Sequence, residues 1–268
     1  PERTCGMHFF NPAPIMKLVE IISGQDTDPS VTDRVASIAE SWGKHVARAS
    51  DTPGFIVNRV ARPYYLEAFR CLEDGLATVE VIDQTMKSLG GFRMGPFELT
   101  DFIGHDVNTA TTRVVWSQWN QPSRLEPSRM QEELVSTGQL GRKTGRGAYD
   151  YGGDTPVVAI PPSQDAATIH AGELKPIQAF TEHASTGSED PIQQIIFARI
   201  LCALINEALW ARADGVAGER DIDTAMKYGV NYPRGPFEWM KDTGQERVLE
   251  AMKSLESMTD TGRFIPPA

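Results

Sequence analysis

In the stretch CGMHFFNPAPIMKLVEIISG, residues 5–24, one imidazole, His8, and one carboxylate, Glu20, stand symmetrically about Pro14 in a largely apolar run. A carboxylate bonded to an imidazole fixes its tautomer and stabilises its cation, which suits a general base. The same pair also fits a buried histidine satisfied by a nearby acid, and spacing alone leaves both readings open. Asn58, in FIVNR, falls inside a helical pattern where asparagine is a poor helix former. Its amide either orients a substrate carbonyl or water, or makes a helix-packing hydrogen bond. The segment GRKTGRG, residues 141–147, departs from the GxxxxGK[ST] phosphate loop and lacks the strand-then-helix setting. It reads as a basic turn, either touching a phosphate or ribose or simply solvated. No GxGxxG follows a strand, so these residues offer no dinucleotide loop of their own. His105, His170 and His183 have no sequence partners that suggest a metal.

The elements that must position these groups can be read along the chain. Residues 3–10 and 17–22 read as buried strands joined by NPAP, whose two prolines forbid helix. If the strands pair, His8 and Glu20 point to the same edge. A helix follows, capped by Asp28 with Pro29 at its first position and Val31, Val35, Ile38 and Trp42 on its apolar face. Residues 45–50 read as a further strand, the tail of an α/β sheet. From residue 51 the pattern is helical, with Pro63 expected to kink a long helix. Residues 153–190 read as a linker with a short strand at VVAI.

Helical pattern then returns and repeats at an offset of 140 residues: Glu67 meets Glu207, Asp74 meets Asp214, Asp83 meets Asp223, and GPFE occurs at 95–98 and 235–238. The arginine after Asn58 is kept, as Arg59 and Arg199, while Asn58 itself becomes Ala198. The expected fold is therefore mainly α: two tandem homologous helical domains behind the last strands and helix of a truncated α/β Rossmann domain. The expected boundaries are 1–50, 51–152, a linker 153–190, and 191–268 as a degenerate, structural copy.

The net charge of −10 argues against nucleic acid and against an anionic membrane surface as partners. Cys5, Cys71 and Cys202 are odd in number and far apart, and reduced thiols in the cytoplasm are the simplest reading. No run approaches the roughly 18 continuous apolar residues of a membrane span. The chain opens at Pro1 on a strand-like run and reads as the remainder of a longer protein.

Together, GMHFFNPAPIMKLVEII, DTPGFIVNRVARPYYLEA, GFRMGPFELTDFIGHDVN and GRKTGRGAYDY closely resemble the NAD-dependent L-3-hydroxyacyl-CoA dehydrogenases. The repeat resembles bacterial members that act on 3-hydroxybutyryl-CoA or 3-hydroxyadipyl-CoA in fatty-acid or phenylacetate-type breakdown. The resemblance implies that His8 is the base that takes the 3-hydroxyl proton as hydride passes to NAD. It implies that Glu20 orients that imidazole, that Asn58 stands at the active site, and that Asn11 and Lys143 contact the cofactor. Arg142 stands where relatives often carry a lysine. The family's Gly-rich loop, catalytic serine and CoA contacts would lie upstream of Pro1. The chain as given is therefore expected to bind NAD weakly and to be inactive. The resemblance also implies an intramolecular pseudo-dimer of the two helical copies, with a homo-oligomer left open. Two other readings stand beside it. One is a stand-alone helical interaction module without catalysis. The other is a different hydroxyacid dehydrogenase class with a helical lysine, against which the His/Glu strand pair argues.

Overall fold

The computed structural model describes residues 1–161 and 174–268. Three strands, β1 (Gly6–Phe9), β2 (Leu18–Ser23) and β3 (His45–Ser50), form one sheet in that order. β1 runs antiparallel to β2, and β3 runs parallel to it through the crossover helix α1 (Pro29–Ser41). Asp28 caps α1 by accepting from the Ser30 amide at 2.8 Å. The buried face of α1 differs from the one expected: Thr32, Ala36 and Ala39 are buried, whereas Ile38 and Trp42 are 41% and 57% exposed. Small side chains let the helix backbone lie close to Val19 and Ile21 of the sheet.

Pro63 divides the next helix into α2 (Val57–Val60) and α3 (Arg62–Glu73), and sits in the first turn of α3, where its missing N–H costs no bond. Helices α4 (Val79–Gly90), α5 (Pro96–Ile103), α6 (His105–Gln118) and α7 (Arg129–Ser136) follow, then the short hairpin β4 (Tyr149–Asp150) and β5 (Val157–Val158). The linker reading of 153–190 needs correction at 174–184. That stretch is helix α8 (Leu174–Ala184), with Ile177, Phe180, Thr181 and Ala184 buried at helical spacing. Residues 162–173, including His170, lie outside the described residues.

The expectation of two tandem helical domains is overturned by α9 (Pro191–Ala213). This helix is buried on nearly every side from Gln194 to Leu209, so it needs partners all round. It packs on α3, α4 and α8 and on α11 (Pro236–Thr243), and one hydrophobic core runs from Leu18 to Phe264. A helix enclosed in this way cannot belong to a separate unit with its own solvent face. Its length and mean hydropathy would suit a membrane crossing, but its apolar window is 89% buried inside the protein, which makes it a core helix.

The motif repeat survives as local geometry. Asp83 accepts from the Phe97 and Glu98 amides, and Asp223 accepts from those of Phe237 and Glu238. A Cβ on Gly95 or Gly235 would fall 2.3 or 2.2 Å from the respective aspartate, which explains the glycine of each GPFE. Helices α10 (Glu219–Gly229) and α12 (Gln245–Thr259) complete the fold. The turn before α10 and the first turn of that helix cover the β3 edge: Ser50 donates from its amide to the Val216 carbonyl at 2.8 Å, and the Arg48 amide donates to Asp221 at 2.9 Å.

Candidate active site

The β1–β2 register sets His8 directly opposite Glu20, so both side chains leave the same face. His8 Nδ1 lies 2.6 Å from Glu20 Oε2. Glu20 is fully buried, and its Oε1 accepts from the amides of Ile56 (3.2 Å) and Val57 (2.9 Å) at the start of α2. With Oε1 occupied by two amide donors, Oε2 takes the Nδ1 proton of His8. The proton-accepting lone pair is thereby left on Nε2. The His8 side chain is 30% exposed and is flanked by Phe10 and Phe55, with ring centres 4.6 and 5.6 Å away. The arrangement is an oriented base, dry on one side and open on the other.

Asn58 follows Val57 directly, so the amide that seats Glu20 also sets the place of Asn58. The Asn58 side chain is half-buried and has no hydrogen-bond partner among the described residues, so no helix-packing bond holds it. It lines a cleft of about 740 Å³ together with Asn11, Arg62, Phe102, Asn231 and Tyr232. His8 lines a second cleft together with Phe55, and its ring lies 4.6 Å from that of Phe10, which lines the first. Ala198, which takes the place of Asn58 in the repeat, is fully buried, where an unpaired amide would be costly. The second helical stretch nevertheless contributes to the site, because Val230, Asn231 and Tyr232 line the cleft beside Asn58.

Lys143 is not brought to this cleft. Its Nζ lies 2.5 Å from Asp106, and this hydrogen bond holds the Asp106 carboxyl below its ordinary range. Arg142 does reach the cleft, with its guanidinium 5.5 Å from the Phe102 ring centre. The loop around them is closed on Asp101, which accepts from the amides of Ala148 and Tyr149 and from the Tyr151 hydroxyl. A Cβ on Gly147 would fall 2.0 Å from Asp101 Oδ1, so close approach to that carboxylate accounts for this glycine. Sequence reading missed two arrangements here. The buried pair of Asp101 and His105, 2.7 Å apart, braces this loop, and Arg62 reaches into the cleft. The only signal for Arg62 was a cation one helical turn beyond Asn58.

Comparison with known proteins bears on the whole chain. Residues 1–52 match the 3-hydroxyacyl-CoA dehydrogenase NAD binding domain, and residues 54–151 and 196–268 match the C-terminal domain of the same family. The chain is 38% identical to the 3-hydroxyadipyl-CoA dehydrogenase of Escherichia coli K12, over 99% of this chain and 68% of that protein. It is 42% identical to the mitochondrial hydroxyacyl-coenzyme A dehydrogenase of Sus scrofa, over 56% of this chain and 48% of that protein. The crystal structure of 3-hydroxybutyryl-CoA dehydrogenase from Escherichia coli K12 superposes with a TM-score of 0.83 at 37% identity, covering 100% of this chain and 69% of that one. The chain, with its oriented histidine at the head of a helical body, belongs to the 3-hydroxyacyl-CoA dehydrogenase family.

Proposed function

We propose that this chain acts in the NAD-dependent oxidation of a 3-hydroxyacyl-CoA to the 3-oxoacyl-CoA, with 3-hydroxybutyryl-CoA or 3-hydroxyadipyl-CoA as substrate. The observation that carries this reading is the His8–Glu20 contact of 2.6 Å, which leaves Nε2 without a hydrogen-bond partner among the described residues. The 3-hydroxyl donates to Nε2, and its proton passes there as the C3–H bond breaks and the ketone forms. Glu20 holds the imidazole in the accepting tautomer and stabilises the imidazolium that results. The free amide of Asn58 orients an oxygen of the substrate. NAD, when bound, supplies the hydride acceptor.

The residues present fit the nicotinamide end of that cofactor. Asn11 is exposed at the cleft and free to bond a carboxamide, whereas the loop carrying Lys143 is closed on Asp101. The Lys143–Asp106 pair would have to open before Lys143 could bind a cofactor.

We also infer that the two helical stretches pack as an internal pseudo-dimer within one core. Arg59 binds Glu207 and Asp214, while Arg199 binds Glu67 and Asp74, and this exchange of equivalent partners supports the reading. The test of the catalytic reading is NADH oxidation with acetoacetyl-CoA by the wild type and by His8→Ala, each joined to a Gly-rich dinucleotide loop of the family, since residues 1–268 contain no GxGxxG. Loss of about 10³-fold or more in kcat is expected. A His8→Ala variant within about tenfold of wild type would remove the base assignment.

A further inference from the structure

We propose that Arg62 forms a subsite for a carboxylate at the far end of the acyl chain, so that ω-carboxylated 3-hydroxyacyl-CoAs are preferred over plain ones. This rests on the dehydrogenase reading above and assigns its substrate class.

Arg62 opens α3, lines the large cleft and is 5% exposed. Its Nη1 donates to the Asn108 carbonyl at 3.2 Å and to Thr112 Oγ1 at 3.3 Å, and its guanidinium lies 5.0 Å from the Tyr65 ring centre. Its Nε is buried without a partner. No carboxylate among the described residues pairs with it. The other buried arginines are treated differently: Arg59 and Arg199 each bind two carboxylates. Glu98, the one acid lining the cleft among the described residues, is taken by Lys87 at 2.5 Å and by the Gly95 amide at 3.0 Å.

Two more buried donors on the same cleft are orphaned, Asn108 Nδ2 and the Tyr232 hydroxyl. A buried cation beside unpaired donors lacks an anionic acceptor. A neutral carbonyl could satisfy one donor but would leave the charge uncompensated. A carboxylate meets both demands, since it accepts several hydrogen bonds and suits a guanidinium.

Asn58 on α2 and Arg62 at the start of α3 line the same cleft, so a short dicarboxylic chain in that cleft meets both side chains. Phe102, Leu99 and Val230 line the cleft as apolar walls for the intervening methylenes.

The experiment compares 3-hydroxyadipyl-CoA with 3-hydroxybutyryl-CoA on the full chain, by isothermal titration and by NAD-dependent turnover. The adipyl compound should bind at least about tenfold more tightly to the wild type, because the plain chain leaves the buried donors unpaired. Arg62→Leu should bring the affinity ratio close to one. Arg62→Lys keeps the charge without the planar fork and should lower the ratio at least about threefold, which decides the matter if Arg62→Leu does not fold. A wild type with no preference, a ratio untouched by either substitution, or no binding of either compound overturns the subsite. Preference without turnover, measured on the chain joined to the family's dinucleotide loop, leaves the subsite standing and removes the dehydrogenase reading. Turnover of both without preference does the reverse.

Discussion

Arg59 of α2 and Glu207 of α9 form a fully buried ion pair, Nε to Oε1 at 2.6 Å. The Arg59 guanidinium also stacks 3.8 Å from the Trp119 ring centre and binds Asp214 at 2.5 Å. Glu207 has a second cation, Arg124, at 2.6 Å. The network ties the two helical stretches together through charges that water does not screen. Removing one member strands the others, which typically costs about 3–5 kcal/mol. Arg59→Met is expected to lower stability in urea by about 3 kcal/mol. In a double-mutant cycle with Glu207→Leu, the coupling should exceed about 1 kcal/mol. Additive effects would mean that the pair is not energetically linked.

Glu67 faces the opposite set of cations. Burial alone would push its carboxyl up, but Arg199, Arg70 and Arg263 together bring it down to about 2. In the unfolded chain it titrates at its ordinary 4.5. A depressed carboxylate contributes stability that is fully present above the unfolded value and is lost as the pH falls towards the folded one. The contribution is on the order of 3 kcal/mol at neutral pH. Glu67→Gln should therefore be less stable than wild type at pH about 7 and nearly equal to it at pH about 2, which urea titrations across that range would read. Equal pH dependence in the two proteins would count against the network.

The His8–Glu20 contact, though not its role, was legible in the sequence. A hairpin centred on Pro14 with alternating side chains sets residues 8 and 20 opposite one another, whatever surrounds them. Arg62 was not legible, because a charge becomes buried and unpaired only once α6 and the 229–232 turn close around it. The α1 face was misjudged because bulk was taken as the mark of burial, while the contact with the sheet selects alanines for close approach. Helix α8 was hidden by Pro176 and by the polar residues around it, although Pro176 falls within its first turn, where it is tolerated. The repeat suggested separate domains because sequence identity carries no information on which surfaces are shared. The all-round burial of α9 decided that question.

Glu20→Gln tests the tautomer argument. The glutamine oxygen must remain at the Oε1 position to accept from Ile56 and Val57, so its amide nitrogen turns to His8 Nδ1. The imidazole must then accept at Nδ1 and carry its proton on Nε2, where it can no longer take one from substrate. A loss in kcat of about 10²- to 10⁴-fold is expected, with the fold kept and the melting temperature changed by only a few degrees. Kinetics and circular dichroism on the same preparation would separate the effects. Activity within about threefold of wild type would show that Glu20 does not set the proton position.

Gly229 links the second helical stretch to the His8–Glu20 pair. A Cβ there would fall 2.6 Å from Leu18 Cδ2 and 2.9 Å from Val57 Cγ2, and both neighbours are buried. Alanine in a helix gains up to about 1 kcal/mol over glycine, while overpacking a core costs about 1–3 kcal/mol. The clash wins narrowly, and a net loss of about 1–2 kcal/mol is expected for Gly229→Ala. The functional effect should be larger than that figure suggests. Val57 carries the amide that seats Glu20, and Val230 to Tyr232 wall the cleft, so a shift of α10 disturbs both. A displacement near 1 Å can cost about 100-fold in rate. We expect kcat/KM for acyl-CoA to fall about 10- to 100-fold. Leu18→Val in the same chain removes the offending Cδ2 and should recover part of both losses. If Gly229→Ala raises stability and leaves kcat/KM untouched, the close approach of α10 to β2 and α2 is not what positions the site.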